Sequence, residues 1–534
     1  MKLSKDVLSN PGDWQEKGVV FPRFDWESVR RRTAEKPVWL HFGAGNIFRA
    51  FPARAQQLLL DEGLADSGIV VCETFDEEII DKAFTPFDNL TLAVTLKADQ
   101  SIDKTLVASI TESLTGSSDR KQLERIFTAP SLQLVSFTIT EKGYAVTDDR
   151  GQMLPHIAAD VSRRPEEASS LIGLVAYLCL LRCRAGQLPL ALVSMDNCAR
   201  NGEKLKTAVL AVAQGWERQG FAGREFSEYL QHESRVTFPW SMIDKITPRP
   251  ADSVREMLAA SGIEGMEIHQ TAKNTYVAAF VNAEECEYLV IEDSFPNGRP
   301  PLEKAGVIFS DRDTVNKVEK MKVGACLNPL HTVLAVFGCL LGYELVSKEM
   351  ENGPLVRLVK LVGYSEALPY VPDPGIISPR QFIDEFINTR LPNPFIPDSP
   401  QRIACDTSQK IPVRFGGTLK EMERQGKDLS RLKGIPFFIA GWLRYLLAVN
   451  DEGKPLALSP DPMLAELRPH LQGISLGDKG PFAAAIQPIL ANQAIFGVDL
   501  YKHGLAGKIE AYFTNMVSGA GAVRQALNDE FKEE

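Results

Sequence analysis

Short apolar runs of strand length alternate with helix-period segments through the first three hundred residues, and the period then changes. Pro37-Val38-Trp39-Leu40-His41-Phe42 is a continuous apolar run, as expected of a strand buried on both faces. Similar runs are Ile69 to Cys72, Leu132 to Thr138, Leu190 to Ser194, Tyr276 to Val281 and Tyr288 to Ile291. Leu90 to Leu96 and Leu106 to Ile110 read as an antiparallel extension. Between them lie helical patterns, one running to Leu60 with Pro52 tolerable only in its first turn, another from Leu171 to Leu181. The stretch Ser294-Phe295-Pro296-Asn297-Gly298-Arg299-Pro300-Pro301 breaks the alternation and predicts a domain boundary. Beyond it, helical periods cover Asp313 to Met321, Pro329 to Leu345, Leu355 to Val362, Pro379 to Leu391, Pro436 to Val449 and Leu505 to Phe531. The pattern predicts an α/β domain over residues 1–300 and a mainly α-helical domain over residues 301–534.

The first strand runs directly into Gly43-Ala44-Gly45-Asn46-Ile47-Phe48-Arg49-Ala50 and then into a helix. Strand, Gly-x-Gly turn and helix make the opening unit of a dinucleotide-binding, Rossmann-type fold. Gly43 permits the tight turn, Gly45 lets a pyrophosphate approach the backbone, and the helix start favours the anion. A third glycine is absent, and Phe48 stands in its place. Glu73 closes the second strand, where an acid can accept hydrogen bonds from an adenosine ribose; Asp76 is the rival candidate. Arginine is missing between Arg54 and Arg120, so nothing local suggests a 2′-phosphate clamp, which favours NAD over NADP. Asn197 lies at another strand end, as a donor to a substrate oxygen or as an Asx-turn into the next helix. Asp244 reads as a ligand for a sugar hydroxyl or as a surface acid.

The helical half opens on Glu319-Lys320-Met321-Lys322-Val323-Gly324-Ala325-Cys326-Leu327-Asn328-Pro329-Leu330-His331. A lysine, an amide and an imidazole here lead into the apolar run Thr332 to Leu345, too short to span a membrane. Such groups must find partners or do chemistry. Asn328 reads equally as an N-cap, with Pro329 as the first helical residue. Further on, Arg402 and Lys410 are eight residues apart and, on one helix, could share a face that holds a carboxylate or a row of hydroxyls.

Composition narrows the function. Hydrophobic residues are 44% and charged residues 24% of 534, and the net charge is -10. An acidic chain without a basic stripe argues against nucleic acid and against an anionic membrane. Eight cysteines and seven histidines are scattered without a metal-site spacing, so no protein-bound metal is expected. The N-terminus lacks the apolar core of a signal peptide, which predicts a cytoplasmic protein.

Taken together, and in order, these segments resemble the polyol-specific long-chain dehydrogenases, or mannitol dehydrogenase family. The resemblance is carried by the glycine turn at Gly43 and by Thr138-Ile139-Thr140-Glu141-Lys142-Gly143-Tyr144. It continues through Ser194-Met195-Asp196-Asn197 with Asn201-Gly202, and through Phe238-Pro239 with Met242-Ile243-Asp244. Ile291-Glu292-Asp293 with Gly298-Arg299-Pro300 follows. Lys322 with Asn328 and His331, and Asp406 with Ser408-Gln409-Lys410, complete it. It implies a Rossmann domain followed by a helical domain, NAD as cofactor and no metal. Lys322 would be the acid/base, Asn197 and Asn328 would bind the developing alkoxide, and His331 would position the substrate oxygen and the lysine. Glu319 would pass the lysine's proton to solvent. Asp244, Arg402 and Lys410 would contact substrate, while Gly43, Ala44, Gly45, Asn46, Phe48, Arg49, Glu73 and Ile243 would line the cofactor. The family usually has four residues between lysine and asparagine; here five lie between Lys322 and Asn328, and Gly324 could absorb the extra one in a kink or bulge. Lys245 replaces a usual arginine.

Without a metal, the carbonyl must be polarised by preorganised donors, and two amides with an ammonium suffice. A lysine acting as base near neutral pH needs a depressed pKa, which burial and a positive nicotinamide ring would both produce. The segments at Thr140, Ile291 and Ser408 look closest to fructuronate reductases (D-mannonate oxidoreductases). The expected reaction is NAD-dependent reduction of D-fructuronate to D-mannonate, with tagaturonate reduction or mannitol 2-dehydrogenation as alternatives. A different class, a non-catalytic NAD-binding sensor, is suggested by the altered lysine-to-asparagine spacing. The expected partner is a small sugar acid or polyol, and the expected assembly a monomer or small homo-oligomer.

Overall fold

The computed structural model describes residues 1–148 and 150–533. The chain divides into two compact units, Met1–Lys97 with Ser101–Asn316, and Ala98–Gln100 with Lys317–Glu534. The division falls after the irregular Ser294–Pro301 stretch, not within it. The reason is a further strand, Ile308–Ser310, which pairs in parallel with Tyr288–Glu292 and holds the intervening chain on the first unit.

The first unit is built on six parallel strands: β1 Trp39–Phe42, β2 Ile69–Glu73, β3 Ile110–Thr115, β4 Leu134–Phe137, β5 Leu190–Ser194 and β6 Val236–Thr237. Their order across the sheet is β3-β2-β1-β4-β5-β6, the doubly wound order of a Rossmann fold. Every residue of β1, β2, β4 and β5 is buried, which is why these segments read as unbroken apolar runs. Leu106 to Ile110, expected as one strand, contributes to two. Ile102–Val107 pairs antiparallel with Thr91–Leu96 in a second sheet, while Ile110 opens β3. That second sheet is completed by Phe280–Glu284 and Val19–Val20.

A 30-residue helix, Arg312–Leu341, runs from the end of the first unit's chain and supplies most of its length to the helical unit. Its apolar stretch is long enough to cross a membrane, longer than the sequence suggested, but 78% of the most apolar window is buried inside the protein. It stops at Leu341, short of Leu345, because Gly342 adopts φ +79° and terminates the helix in the left-handed region. Gly521, φ +80°, likewise splits the expected Leu505 to Phe531 helix into Ala506–Val517 and Ala522–Glu530. The buried helix Gly434–Leu446 starts on Glu366, whose carboxylate accepts the N–H groups of Lys433, Gly434 and Ile435 at 2.6, 2.8 and 2.7 Å. These are the orphan donors of a helix start, satisfied by one acid.

One acid in this core has no such partners. Glu349 is fully buried, and neither carboxyl oxygen meets a hydrogen-bond donor among the described residues. It lies against Gly338, where a Cβ would come within 2.3 Å of Glu349 Oε1. Burial raises its pKa well above the usual 4.5. The unfolded chain therefore loses this proton at a lower pH than the folded one. Stability falls as pH rises from the unfolded pKa toward the folded one. Glu349→Met is expected to stabilise the protein by about 2 kcal/mol at pH 8, with the gain shrinking toward pH 4; urea unfolding at several pH values reads both.

Candidate active site

In the first unit, the site residues gather at the carboxyl ends of the parallel strands. Gly43 follows β1 with φ +104°, and a Cβ there would lie 2.2 Å from Thr138 O, so only glycine fits. Gly45 is different. Its backbone is extended, φ -77° and ψ 178°, and a Cβ would meet no protein atom within 4 Å. It faces open space at the start of helix Asn46–Ala50, and Pro52 begins the next helix, Pro52–Asp61, at its first position.

Phe48 and Arg49 stand behind this turn rather than on its open side. Phe48 is fully buried and stacks on His41 at 3.9 Å. The imidazole is itself bonded to Ser136 Oγ at 2.6 Å and Thr138 Oγ1 at 2.9 Å, and burial pulls its pKa down to about 3. Arg49, also fully buried, donates to Ala278 O and to Asn46 Oδ1, and burial lowers its pKa to about 9. Asn46 Nδ2 donates in turn to Pro248 O. These side chains anchor the turn to distant segments, which the sequence pattern does not reveal.

Glu73 has a similar duty. Its Oε2 accepts the Ala44 N–H at 2.8 Å, and its Oε1 accepts those of Thr74, Phe75 and Asp76. The carboxylate ties the glycine turn to the loop after β2. Asp76, the rival, is buried and accepts from Thr271 Oγ1 at 2.6 Å.

The loops after β4 and β5 are locked by an acid that sequence reasoning passed over. Asp196 accepts the Ile139 and Thr140 N–H groups, both at 2.9 Å, and the Tyr144 hydroxyl at 2.5 Å. Tyr144 also bonds Ser194 Oγ. Burial raises the pKa of Asp196 against these hydrogen bonds; burial, then the charge of Asp196, raises that of Tyr144. Asn197, next to Asp196, is exposed in the bend that results. Asn201 bonds Ser194 O, Asp196 O and Ser241 O through Nδ2 and accepts Ser241 N–H at 2.9 Å. It thereby fixes the strand Ser241–Asp244, which carries the buried Ile243 and Asp244. Lys245 is buried and pairs with Glu287 at 2.7 Å.

In the helical unit, Lys322 is 1% exposed. It begins a π-helical turn, Lys322–Cys326, inserted in the long helix. The Leu327 N–H reaches back five residues to Lys322 O at 3.1 Å. One extra residue in an ordinary α-helix would rotate everything after it by about 100°; a π turn absorbs that residue within one wider loop. Gly324 sits inside the turn, with no positive φ and open space where a Cβ would go, so the i to i+5 bond, not glycine's freedom, makes the bulge. Glu319, partly exposed, lies one helical turn before Lys322.

Asn328 is the first residue of helix Asn328–Leu341, not its N-cap; Leu327 takes the cap position and no side chain caps it. Arg414 instead reaches this segment, donating to Asn328 O at 3.3 Å and to Thr332 Oγ1. His331 Nε2 lies 3.3 Å from Asp398 Oδ2, and the ring meets Phe386 edge-on at 5.8 Å. Phe386 begins a second π turn, Phe386–Arg390, and Leu330 packs on Gly363 of a third, Leu361–Ala367.

Arg402 and Lys410 do not share one helix. Helix Pro400–Ile403 ends, Asp406 turns left-handed at φ 53°, and a new helix, Thr407–Arg414, begins. Arg402 pairs with Asp398, while Lys410 Nζ donates to Ile403 O and Cys405 O. Sequence reasoning gave no role to Asp398 or Arg414; Arg414 ends the polar cluster that begins at Arg402, and Asp398 lies before it in a proline-rich stretch.

The comparisons agree with this architecture. Residues 38–304 match the family model described as the mannitol dehydrogenase Rossmann domain, and residues 314–517 the one described as its C-terminal domain. The chain belongs to the mannitol dehydrogenase family. Among relatives, the D-mannonate oxidoreductase of Thermotoga maritima is 49% identical over 99% of both chains. Among solved structures, D-sorbitol dehydrogenase in substrate-free form superposes with a TM-score of 0.82 at 25% identity, covering 99% of this chain and 100% of that one. Mannitol 2-dehydrogenase of Pseudomonas fluorescens, in a ternary complex with NAD and D-mannitol, gives 0.72 at 25% identity over 100% of both chains.

The two glycines of the turn should separate folding from binding. Gly43→Ala is expected to give little soluble protein, whereas Gly45→Ala should fold normally and weaken NADH binding at least about tenfold, read by NADH fluorescence titration. In the π turn, Gly324→Ala should be neutral or stabilising by up to about 1 kcal/mol. Deleting Gly324 should leave a folded protein, because an ordinary α turn replaces the bulge; circular dichroism and urea unfolding test both.

Proposed function

We propose that this chain is an NAD-dependent oxidoreductase that reduces the ketone of D-fructuronate to D-mannonate, with Lys322 as acid/base. The observation that carries the reading is the full-length 49% identity to a relative named D-mannonate oxidoreductase. The cofactor assignment draws support from the doubly wound sheet, the open Gly45 at the first strand-to-helix turn, and the NAD in the named complex of the mannitol relative.

NADH, when bound, supplies the hydride that adds to the carbonyl carbon. The residues of this chain handle the oxygen. Asn197 and Asn328 donate hydrogen bonds as negative charge develops there, and the Lys322 ammonium delivers the proton that completes the alcohol. In the reverse direction the neutral amine takes that proton back. Glu319, one turn away and partly exposed, links the buried lysine to solvent. The π turn accommodates the extra residue that motivated a sensor role, so a retained catalytic constellation is the simpler account.

Purified protein with NADH and a panel of D-fructuronate, tagaturonate and fructose, followed by NADH absorbance, tests the proposal, with mannitol and NAD for the reverse reaction. The highest kcat/KM is expected on D-fructuronate; turnover on none of these, with NADH binding intact, would overturn it. Lys322→Ala is expected to lower kcat at least about a hundredfold with NADH affinity retained; full activity in that variant would remove Lys322 from the mechanism.

A further inference from the structure

The segment that carries Asp398 is held in place by its own backbone. Its carbonyl accepts the Val346 N–H at 2.9 Å, and Ser399 Oγ accepts the N–H of Arg402 at 3.3 Å, starting helix Pro400–Ile403. The Asp398 carboxylate is thereby placed beside His331, with only 11% of its side chain exposed. Its Oδ2 lies 3.3 Å from His331 Nε2, and its Oδ1 is taken by Arg402. The edge-on contact with Phe386 restrains the ring, and the His331 N–H is fixed to Leu327 O at 3.1 Å.

A buried carboxylate needs partners, and here one is the guanidinium of Arg402 and the other an imidazole. Burial pushes the pKa of Asp398 up, but the His331 ring and the Arg402 guanidinium beside it outweigh that, and the net shift is down. Asp398 is therefore ionised at neutral pH and acts only as an acceptor.

We infer that Asp398 is a positioning residue: from 3.3 Å away its carboxylate keeps the His331 proton on Nε2 and leaves Nδ1 with its lone pair. The inference rests on the proposed function and on the substrate-side place that the family resemblance gives His331. It refines that reading. An imidazole protonated on Nε2 cannot donate through Nδ1 to a ketone oxygen; it accepts, from a substrate hydroxyl or from an ammonium N–H. The donors to the developing oxyanion are then the amides and the lysine alone, and His331 holds their partner in orientation. Arg402 acts through the carboxylate. The other nearby cations use their donors elsewhere: Lys410 on Ile403 O and Cys405 O, Arg414 on Asn328 O and Thr332.

The tautomer can be read without turnover, by ¹⁵N NMR of the whole protein labelled at histidine, with His331→Gln to assign the signals. In the wild type the proton is expected on Nε2. Asp398→Asn should redistribute it between the two nitrogens, lower kcat about 10- to 100-fold, shift the pH profile of kcat, and leave the KM for NADH within twofold. Asp398→Glu should recover part of kcat and the wild-type tautomer. A wild-type proton on Nδ1, or an Asp398→Asn protein with unchanged tautomer and kcat, would overturn the inference. If no ketone is reduced by the wild type, the proposed function fails, while the NMR result still decides the pairing of Asp398 with His331.

Discussion

The backbone hydrogen bond from Leu327 N–H to Lys322 O is the constraint on which the helical unit's site depends. One helix carries the lysine, the amide and the imidazole, so their mutual orientation is a matter of helical phase. Five residues lie between Lys322 and Asn328, and in a regular helix every added residue turns the later side chains by about 100°. The wide turn takes up the surplus locally. Beyond it the helix is regular, and its residues from Pro329 to Leu340 are all buried except His331, held too tightly to rotate as a unit. A π turn is less favourable than an α turn and persists where its surroundings fix it. Here Cys326 Sγ contacts Pro379 O at 3.6 Å, and two more π turns lie against Leu330 and His331.

The first unit solves a different problem by a repeated device. Loops at strand ends expose backbone N–H groups, and these need acceptors. Glu73 takes four of them and Asp196 two, and Glu366 does the same at a helix start in the other unit. Glu73 and Asp196 rigidify loops beside which candidate site residues stand. Asn197 follows Asp196 directly, and the glycine turn is bonded to Glu73 through Ala44. Precision at these positions comes from carboxylates that act on the backbone, with chemistry left to their neighbours.

Sequence periodicity conveyed the strands well because burial on both faces leaves an unmistakable apolar run; Leu190–Ser194 came out with its observed bounds. Gly43 and Gly45 were legible because their local geometry admits few alternatives. Partners distant in sequence were not legible. Phe48 stands where a third glycine was sought because it stacks on His41, and Arg49 is consumed by Ala278, far along the chain. Arg402 and Lys410 were placed on one helical face because spacing alone cannot show that Asp406 breaks the helix. The π turn was foreseeable only as a bulge somewhere near Gly324; which carbonyl closes it depends on packing around the whole helix.

Two acids in the helical unit show how far environment outweighs residue type. Asp398 and Glu349 are both removed from water and both flank helix Asn328–Leu341, one beside His331, the other beside Gly338, two turns along. Asp398 has an imidazole and a guanidinium, and its pKa falls despite burial. Glu349 has neither, and its pKa rises well above the usual value. At neutral pH one is an anion and the other is driven toward the neutral acid. Only the anion can hold a proton on a neighbouring imidazole. The neutral form suits an apolar helix contact, where a charge would be expelled. The contrast follows from the neighbours: His331 and, less strongly, Arg402 lower the pKa of Asp398, and no cation among the described residues bonds to Glu349. The partners beside each acid, an imidazole and a guanidinium at Asp398 and neither at Glu349, set the two apart.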